Sequence, residues 1–307
     1  MNPINPHRRR LLTGAVAAAA TLAVRAASSA QPALIRKPIP SSNETLPVVG
    51  LGSARRYQDA TSDADLAVLR DTLQRFQALG GKAVDTAPVY GTAEPTIGTL
   101  LEQVKGRETL FLATKVSTRG REAGVKQIEQ SFRNLKTAKI DLIAVHNLND
   151  TNVHLETLRG RKQAGRIRYV GITTSFDSQY GDFESVMKRE VLDFIQVDYA
   201  LDNRNAAERI LPLAKDRGMA VMINLPFGRG RLFSTTQGKP LPPWAREIDC
   251  STWAQFFLKY IVSHEAVTCA IPGMARPEYV VDNMQAAMGR LPDAATRRRM
   301  ESLIDSI

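Results

Sequence analysis

The sequence is poor in side chains that bind metals or form disulfides. Its 307 residues include only two cysteines and four histidines. The six positions are His7, His146, His154, Cys250, His264 and Cys269. No two of them have the close spacing of zinc or iron–sulfur ligands, so we expect no metal site. Cys269 falls within a predicted strand, which favours a buried thiol over a disulfide.

Acidic residues are absent from the first thirty positions, which contain Arg8, Arg9, Arg10 and Arg25. The whole chain has a formal net charge of +10, with 41 basic and 31 acidic residues. Without those four arginines, 37 basic residues face 31 acidic ones, and the net charge is +6. Such an excess, spread along a chain with only 6% aromatic residues, does not indicate a nucleic-acid-binding surface.

The N-terminus has the order of segments of an export signal. The apolar stretch from Leu11 to Val24 is too short to span about 30 Å of hydrocarbon, which argues against a membrane anchor. It follows the core Arg8-Arg9-x-Leu-Leu and precedes Arg25 and small residues up to Ala30. This pattern resembles a twin-arginine leader. We expect export by the twin-arginine machinery, cleavage near Ala30 and a periplasmic location; the alternative is a cytosolic chain with a basic N-terminus.

Short apolar runs alternate with amphipathic helical stretches from about Val48 onward. The predicted strands are Val48 to Leu51, Lys82 to Thr86, Leu110 to Val116, Asp141 to Val145, Ile167 to Thr173, Phe194 to Tyr199, Ala220 to Leu225 and Val267 to Ile271. Runs with little polar alternation are typical of strands buried on both faces. Eight of them alternating with helices predict an α/β fold, a closed (β/α)8 TIM barrel.

Two segments before the first barrel strand predict a β-hairpin. Ile35 to Pro40 and Glu44 to Val48 flank Ser41-Ser42-Asn43, and we expect this hairpin to close the bottom of the barrel. The predicted domains are thus a leader at 1–30 and a barrel at 31–307. An open doubly wound sheet is the alternative fold, but Gly50-Leu51-Gly52-Ser53-Ala54-Arg55 lacks the third glycine of its nucleotide-binding motif.

Ionisable residues end three consecutive predicted strands. Asp85, Lys115 and His146 each stand at the C-terminal end of an apolar run, about one βα unit apart. The C-terminal rim of a (β/α) barrel carries its chemistry. Tyr90 follows Asp85 across a short turn stiffened by Pro88, which could bring its hydroxyl over the same rim.

These residues lie in segments that resemble the signatures of the aldo-keto reductase superfamily. The segments are Asp85-Thr86-Ala87-Pro88-Val89-Tyr90-Gly91 with Glu94, Thr114-Lys115, and Val145-His146-Asn147. The resemblance extends from about Pro47 to Asn283. It implies a nicotinamide-dependent carbonyl reductase with Asp85, Tyr90, Lys115 and His146 as catalytic residues.

The chemistry of the four side chains agrees with these roles. Reduction of a carbonyl leaves charge on oxygen, so a proton donor must stand within hydrogen-bond reach. A phenol is a weak acid, but an ammonium beside it favours the phenolate. Lys115 would supply that ammonium, Asp85 would keep it charged, and a neutral His146 would orient the carbonyl. Tyr90 is then the general acid.

The resemblance also implies a set of cofactor contacts. Thr173, Thr174 and Gln196 would hold the carboxamide, and Asn224 falls where many relatives place an aromatic ring against the nicotinamide. The loops after strands seven and eight would bind the phosphates, with Arg276 as the candidate for the 2′-phosphate. The full predicted set is Gly52, Ser53, Asp85, Thr173, Thr174, Gln196, Asn224, Leu225, Gly228, Arg229, Gly273, Met274, Arg276 and Asn283.

The strand-eight turn departs from the family pattern. Gly273-Met274 replaces a frequent Lys-Ser pair, and Tyr279 occupies a second basic position. We still expect NADP(H), with NAD(H) as the alternative cofactor. The predicted activity is NADP-dependent reduction of an aldehyde or ketone to an alcohol. The alternative is a cofactor-binding, redox-sensing or partner-binding subunit with vestigial catalysis.

Overall fold

Eight parallel strands form the centre of the protein, and their hydrogen-bonding order follows the chain. The computed structural model describes residues 33–54, 57–60 and 62–307. The strands are β1 (Arg36–Pro38), β2 (Thr45–Pro47), β3 (Leu51–Gly52), β4 (Ala83–Asp85), β5 (Phe111–Val116), β6 (Ile140–His146), β7 (Ile167–Thr173), β8 (Phe194–Asp198), β9 (Ala220–Asn224) and β10 (Cys269–Ala270). Strands β3 to β10 make up one parallel sheet.

Helices connect the strands along the chain. They are α1 (Asp63–Ala78), α2 (Ala93–Gln103), α3 (Arg121–Asn134), α4 (Thr151–Gln163), α5 (Tyr180–Arg189), α6 (Ile210–Asp216), α7 (Arg231–Thr235), α8 (Trp253–Val262), α9 (Pro277–Gln285) and α10 (Ala294–Asp305). Local sequence explains their starts: Ser62 and Asp65 form a capping box at α1, and Thr252 caps α8. The predicted alternation of strands and helices is confirmed.

The sheet curls so that its first and last strands approach each other. The Gly50 amide donates to the Ala270 carbonyl at 2.8 Å, and the Ala270 amide donates to the Val48 carbonyl at 2.9 Å. Parallel bridges also join Val49 to Ala270 and Gly52 to Gly273. Strands β1 and β2 pair separately as an antiparallel hairpin, at the place predicted for one.

One face of the curled sheet carries a separate apolar cluster. Its members are Ile39, Leu46, Ala83, Phe111, Ala113, Leu142, Tyr169, Phe194, Ala220, Met222, Cys269 and Ile271. Where one strand segment contributes two members, they are two residues apart, as expected for side chains on one face of a strand. The larger cluster packs the other face against the helices.

The leader, its cleavage near Ala30 and the start of the barrel domain at residue 31 lie outside the described residues. The described residues from 33 onward form one compact unit. In the part of the chain that the structure describes, no helix is both long enough and apolar enough to cross a membrane. Nor does any group of three or more His, Cys, Asp or Glu side chains there match a metal site. Cys250 and Cys269 are buried free thiols, as favoured for Cys269.

Candidate active site

Side chains along a strand point to alternate faces of the sheet, and this repeat of two places the predicted catalytic residues on the inner face. Asp85 lies two residues beyond the inward Ala83, Lys115 lies two beyond Ala113, and His146 lies four beyond Leu142. Side chains at such even intervals share one face of a strand. The polar residues therefore continue the apolar interior at its C-terminal end.

Asp85 and Lys115 form a buried ion pair at this end. Lys115 Nζ donates to both carboxylate oxygens of Asp85 and to the Thr86 carbonyl, each at 2.8 Å. The two residues are 4% and 2% exposed. All three ammonium protons thus have acceptors, as a buried charge requires.

The electrostatic surroundings keep the ammonium charged. Burial is the largest single effect and opposes the charge on Lys115. The charge and hydrogen bond of Asp85, together with Tyr90 and Glu94, outweigh it, so the pKa of Lys115 is raised. Burial raises the pKa of Asp85, and the charge and hydrogen bond of Lys115, with a hydrogen bond from Gln196, act against that rise.

Tyr90 lies beside this pair. A turn in which the Tyr90 amide donates to the Ala87 carbonyl at 3.0 Å brings its half-buried ring over the end of β4. Lys115 Nζ is 5.4 Å from the centre of the ring. The ring of His146 meets it edge-on, with 6.3 Å between the ring centres. The four predicted catalytic side chains are therefore neighbours.

His146 is a neutral imidazole in this setting. Burial, together with the nearby charge of Lys115, lowers the pKa of His146 to about 4. Its Nδ1 lies 2.5 Å from the hydroxyl of Ser117. The other ring nitrogen therefore remains for a ligand.

These side chains line a cavity of about 650 Å³ at the C-terminal end of the strands. Twelve of the predicted site residues contribute to its wall: Gly52, Ser53, Asp85, Tyr90, Lys115, His146, Thr173, Gln196, Asn224, Leu225, Arg229 and Gly273. The register of the sheet accounts for part of this set, because His146 pairs with Thr173 and Thr173 pairs with Gln196.

A second cavity, of about 690 Å³, adjoins the first along Gly52 and Gly273. Met274, Arg276 and Tyr279 contribute to its wall. The Arg276 side chain is 64% exposed and lies 3.7 Å from a carboxylate oxygen of Glu278. It is thus free to reorient towards an anion.

Three predicted cofactor residues lie away from these two walls. Gly228 lines a smaller neighbouring cavity of about 290 Å³. Thr174 is buried, and its hydroxyl donates to Gln179 at 2.6 Å. Its carbonyl accepts a hydrogen bond from the Asn224 amide at 3.2 Å, so Thr174 acts on the site through Asn224. Asn283 is buried within α9.

Several residues of the wall were not predicted from the sequence. Phe227 and Phe233, whose ring centres are 4.8 Å apart, form an aromatic side of the first cavity, and Gln58 contributes from another loop. Ser117 was not predicted either. Phe227 lies in the loop after the seventh barrel strand, which was predicted to bind phosphate, whereas the spacing of the strands gives no signal for Phe233 or Ser117.

Comparisons with known proteins agree with this geometry. The sequence profile described as "Aldo/keto reductase family" matches residues 48–303. The aldo-keto reductase YhdN of Bacillus subtilis is 29% identical over 199 residues, which cover 60% of this chain and 59% of that protein. The methylglyoxal reductase YeaE of Escherichia coli is 28% identical over 257 residues, covering 79% of this chain and 86% of that protein.

Solved structures share the fold. An aldo/keto reductase from Klebsiella pneumoniae, in complex with NADP and acetate, superimposes with a TM-score of 0.71 at 23% identity. The match covers 85% of this chain and 93% of that one. The family profile covers most of the chain, and the chain therefore belongs to the aldo/keto reductase family of oxidoreductases.

Proposed function

We propose that the protein is an NADP-dependent reductase that converts a small aldehyde or ketone to an alcohol, with Tyr90 as the proton donor. The observation that carries this proposal is the buried Lys115–Asp85 pair beside Tyr90 and His146 in one cavity wall. A permanent ammonium next to a phenol stabilises the phenolate that remains after proton transfer.

Each side chain has one task in this scheme. Tyr90 delivers its proton to the carbonyl oxygen, and Lys115 stabilises the charge left on the phenol oxygen. Asp85 keeps Lys115 protonated. His146, neutral above a pKa of about 4, donates a hydrogen bond to the same carbonyl oxygen and fixes its position.

The cavity walls fit a nicotinamide dinucleotide. Ser53 Oγ and Asn224 Oδ1 are buried and have no hydrogen-bond partner among the described residues, so each can form a hydrogen bond with a polar ligand. Thr173, Gln196 and Asn224 would hold the carboxamide. NADPH supplies a hydride when it is bound.

Loop residues would hold the rest of the dinucleotide. The backbone at Gly228 and the Arg229 side chain suit the diphosphate, and Arg276 suits the 2′-phosphate. The remaining members of the proposed set are Gly52, Ser53, Leu225, Gly273, Met274 and Asn283. NADP is further supported by the Klebsiella structure, which contains it.

The relatives indicate a first substrate to test. YeaE and a second relative, DkgB of Yersinia pestis, are named as methylglyoxal reductases. A small α-oxoaldehyde suits a site whose carbonyl partners, Tyr90 and His146, stand side by side.

A titration and an assay test the proposal. NADPH fluorescence should report binding to the purified protein, and methylglyoxal should then oxidise the bound NADPH. Tyr90→Phe should keep the binding and lose at least about 100-fold in turnover. Arg276→Ala should weaken the binding of NADPH about tenfold or more and leave the binding of NADH unchanged. Binding with no turnover of any carbonyl in a substrate panel would instead support the non-catalytic, redox-sensing alternative.

We propose that the hairpin of β1 and β2 closes the N-terminal end of a complete barrel. Ile39 and Leu46, at 0% and 2% exposure, belong to the same apolar cluster as Phe111, Tyr169 and Phe194. Leu46→Ala should lower the free energy of unfolding by about 2–4 kcal/mol, as measured by urea denaturation. A change below 0.5 kcal/mol, about the effect of a surface substitution, would argue against closure of the barrel end by the hairpin.

We also propose that residues 1–30 direct twin-arginine export of the barrel domain, residues 31–307, to the periplasm. Support comes from the paired arginines, the short apolar stretch and the small residues before Ala30. Cell fractionation should find the shortened protein in the periplasm. A double variant, Arg8→Lys with Arg9→Lys, should remain inside; unchanged export would contradict this route.

A further inference from the structure

We propose that Ser117 is a positioning residue that fixes the tautomer of His146, so that Nε2 carries the proton aimed at the carbonyl. This inference rests on the proposed function for its effect on turnover. The contact that supports it joins Ser117 Oγ and His146 Nδ1, which are 2.5 Å apart. The residue comes directly after β5, two positions beyond Lys115.

A neutral imidazole has one donor and one acceptor nitrogen, and the bond at one nitrogen decides the role of the other. The Ser117 hydroxyl has no second hydrogen-bond partner among residues 33–54, 57–60 and 62–307. If Nδ1 carried the proton, the serine proton would have no protein acceptor. Donation by Ser117 to Nδ1 satisfies both groups and leaves Nε2 as the donor.

The backbone of Ser117 is held on both sides. Its amide donates to Gln127 Oε1 at 2.6 Å, and its carbonyl accepts from Asn149 Nδ2 at 3.3 Å. Gln127 belongs to α3, and Asn149 belongs to the loop that follows His146. The serine therefore ties the loop after β5 to the loop after β6, which are the loops flanking the imidazole.

A second histidine, on α4, contacts the loop that carries Ser117. His154, fully buried on α4, donates from Nε2 to the Thr118 carbonyl at 2.7 Å. Gly124 makes room for this ring, because a Cβ there would lie 2.4 Å from an imidazole carbon. The loop that carries Ser117 is thus fixed by buried contacts.

Nitrogen NMR of the free protein tests the tautomer without any assay. The probe is the ¹⁵N-labelled full chain at pH 7.5, with His146 assigned by comparison with His146→Gln. The expected wild-type spectrum has a protonated Nε2 and an unprotonated Nδ1 for His146. A protonated Nδ1 would overturn the proposal, even if substituted proteins failed to fold.

Substitutions then link the tautomer to turnover. Ser117→Ala should shift His146 towards a mixture of tautomers and lower kcat/KM for methylglyoxal about five- to tenfold, with the Kd for NADPH unchanged. Ser117→Thr, which keeps the hydroxyl, should restore both readouts. Ser185→Ala removes a hydroxyl that donates to the Gly181 carbonyl on α5 and serves as the matched control.

The outcomes separate the two proposals. An unchanged His146 spectrum in Ser117→Ala would contradict the role of Ser117. A wild-type protein without reductase activity would contradict the proposed function, while its spectrum would still decide the tautomer.

Discussion

Two buried lysines differ in the acceptors that surround their ammonium groups. Lys115, at the C-terminal end of β5, donates to the two carboxylate oxygens of Asp85 and to one carbonyl. Lys259, on α8, is fully buried and donates to the carbonyls of Ile248, Met288 and Arg290 at 2.7–2.8 Å. Each ammonium thus has three hydrogen bonds.

The pKa values of the two lysines shift in opposite directions. Burial lowers the pKa of Lys259, against weaker opposing effects of Cys250 and Asp249. The pKa of Lys115 is raised in spite of burial, because a full negative charge is in contact with it. Hydrogen bonds to carbonyl groups satisfy the donors of a buried ammonium, whereas a counter-charge also raises its pKa against the effect of burial. Lys259 thus ties chain segments together, and Lys115 provides a permanent charge next to Tyr90.

Removing the counter-charge should make Lys115 resemble Lys259, and this is the largest effect we expect. Asp85→Asn keeps the shape of the side chain but leaves burial unopposed, so Lys115 should lose its proton more easily. Single-turnover reduction of methylglyoxal by bound NADPH should slow by at least about 100-fold at neutral pH.

Asp193 offers the matched control. It also receives two hydrogen bonds from a lysine, Lys162, at 2.9 and 2.7 Å, but it precedes β8 instead of lying in the cavity. Asp193→Asn should cost stability and leave the single-turnover rate unchanged. Equal losses of rate in both variants would contradict a catalytic role for Asp85 that Asp193 does not share.

The second prediction concerns Lys259 itself. Lys259→Met leaves three buried carbonyl groups without their donor, so the free energy of unfolding should fall by about 2–4 kcal/mol. Urea denaturation measures this change. Turnover of the folded variant should equal that of the wild type, and a large drop in kcat would contradict a purely structural role.

The smallest expected effect per residue comes from two buried histidines. Burial lowers the pKa of both His146 and His264 to about 4, aided by the charge of Lys115 for His146 and of Arg297 for His264. Between about pH 6.5 and 4 each of these histidines binds more protons in the unfolded state than in the folded one, so its contribution to stability should be full above pH 6.5 and fall below it. At pH 5 the loss should be about 1–2 kcal/mol per histidine.

Urea denaturation at pH 7 and pH 5 measures this loss. His146→Gln removes one titrating group and should reduce the pH-dependent loss by about 1–2 kcal/mol. A loss as large as that of the wild type would show that His146 does not titrate abnormally.

The ends of the predicted strands explain how much of the site was predictable. Asp85, Lys115 and His146 each end an apolar run, which predicted that they share one rim, whereas Thr173 came from the family resemblance. The predicted strand Ile167 to Thr173 matches β7 at both ends. The strand-end motifs and the strand pattern thus agree, because both depend on the same local backbone geometry.

Loop conformation explains what was missed. Leu225 and Arg229, with φ of 49° and 57°, adopt left-handed backbone that no periodicity reveals, and they direct the segment leading to Phe233. The start of a helix depends on loop conformation in the same way. The apolar pattern predicts a helix from Val125 to Leu135 after β5, whereas α3 starts at Arg121, after Gly120 with φ of 80°.

The ionisation of Lys115 in the intact protein tests the central claim most directly. A pH titration of the ¹⁵N-labelled lysine side chains, with Lys115→Met and Lys259→Met for assignment, measures both groups in one experiment. We predict that Lys115 keeps its proton above pH 10.5 and that Lys259 loses its proton below that value. Loss of the Lys115 proton below pH 10.5 would contradict the claim that Asp85 holds a permanent positive charge beside Tyr90.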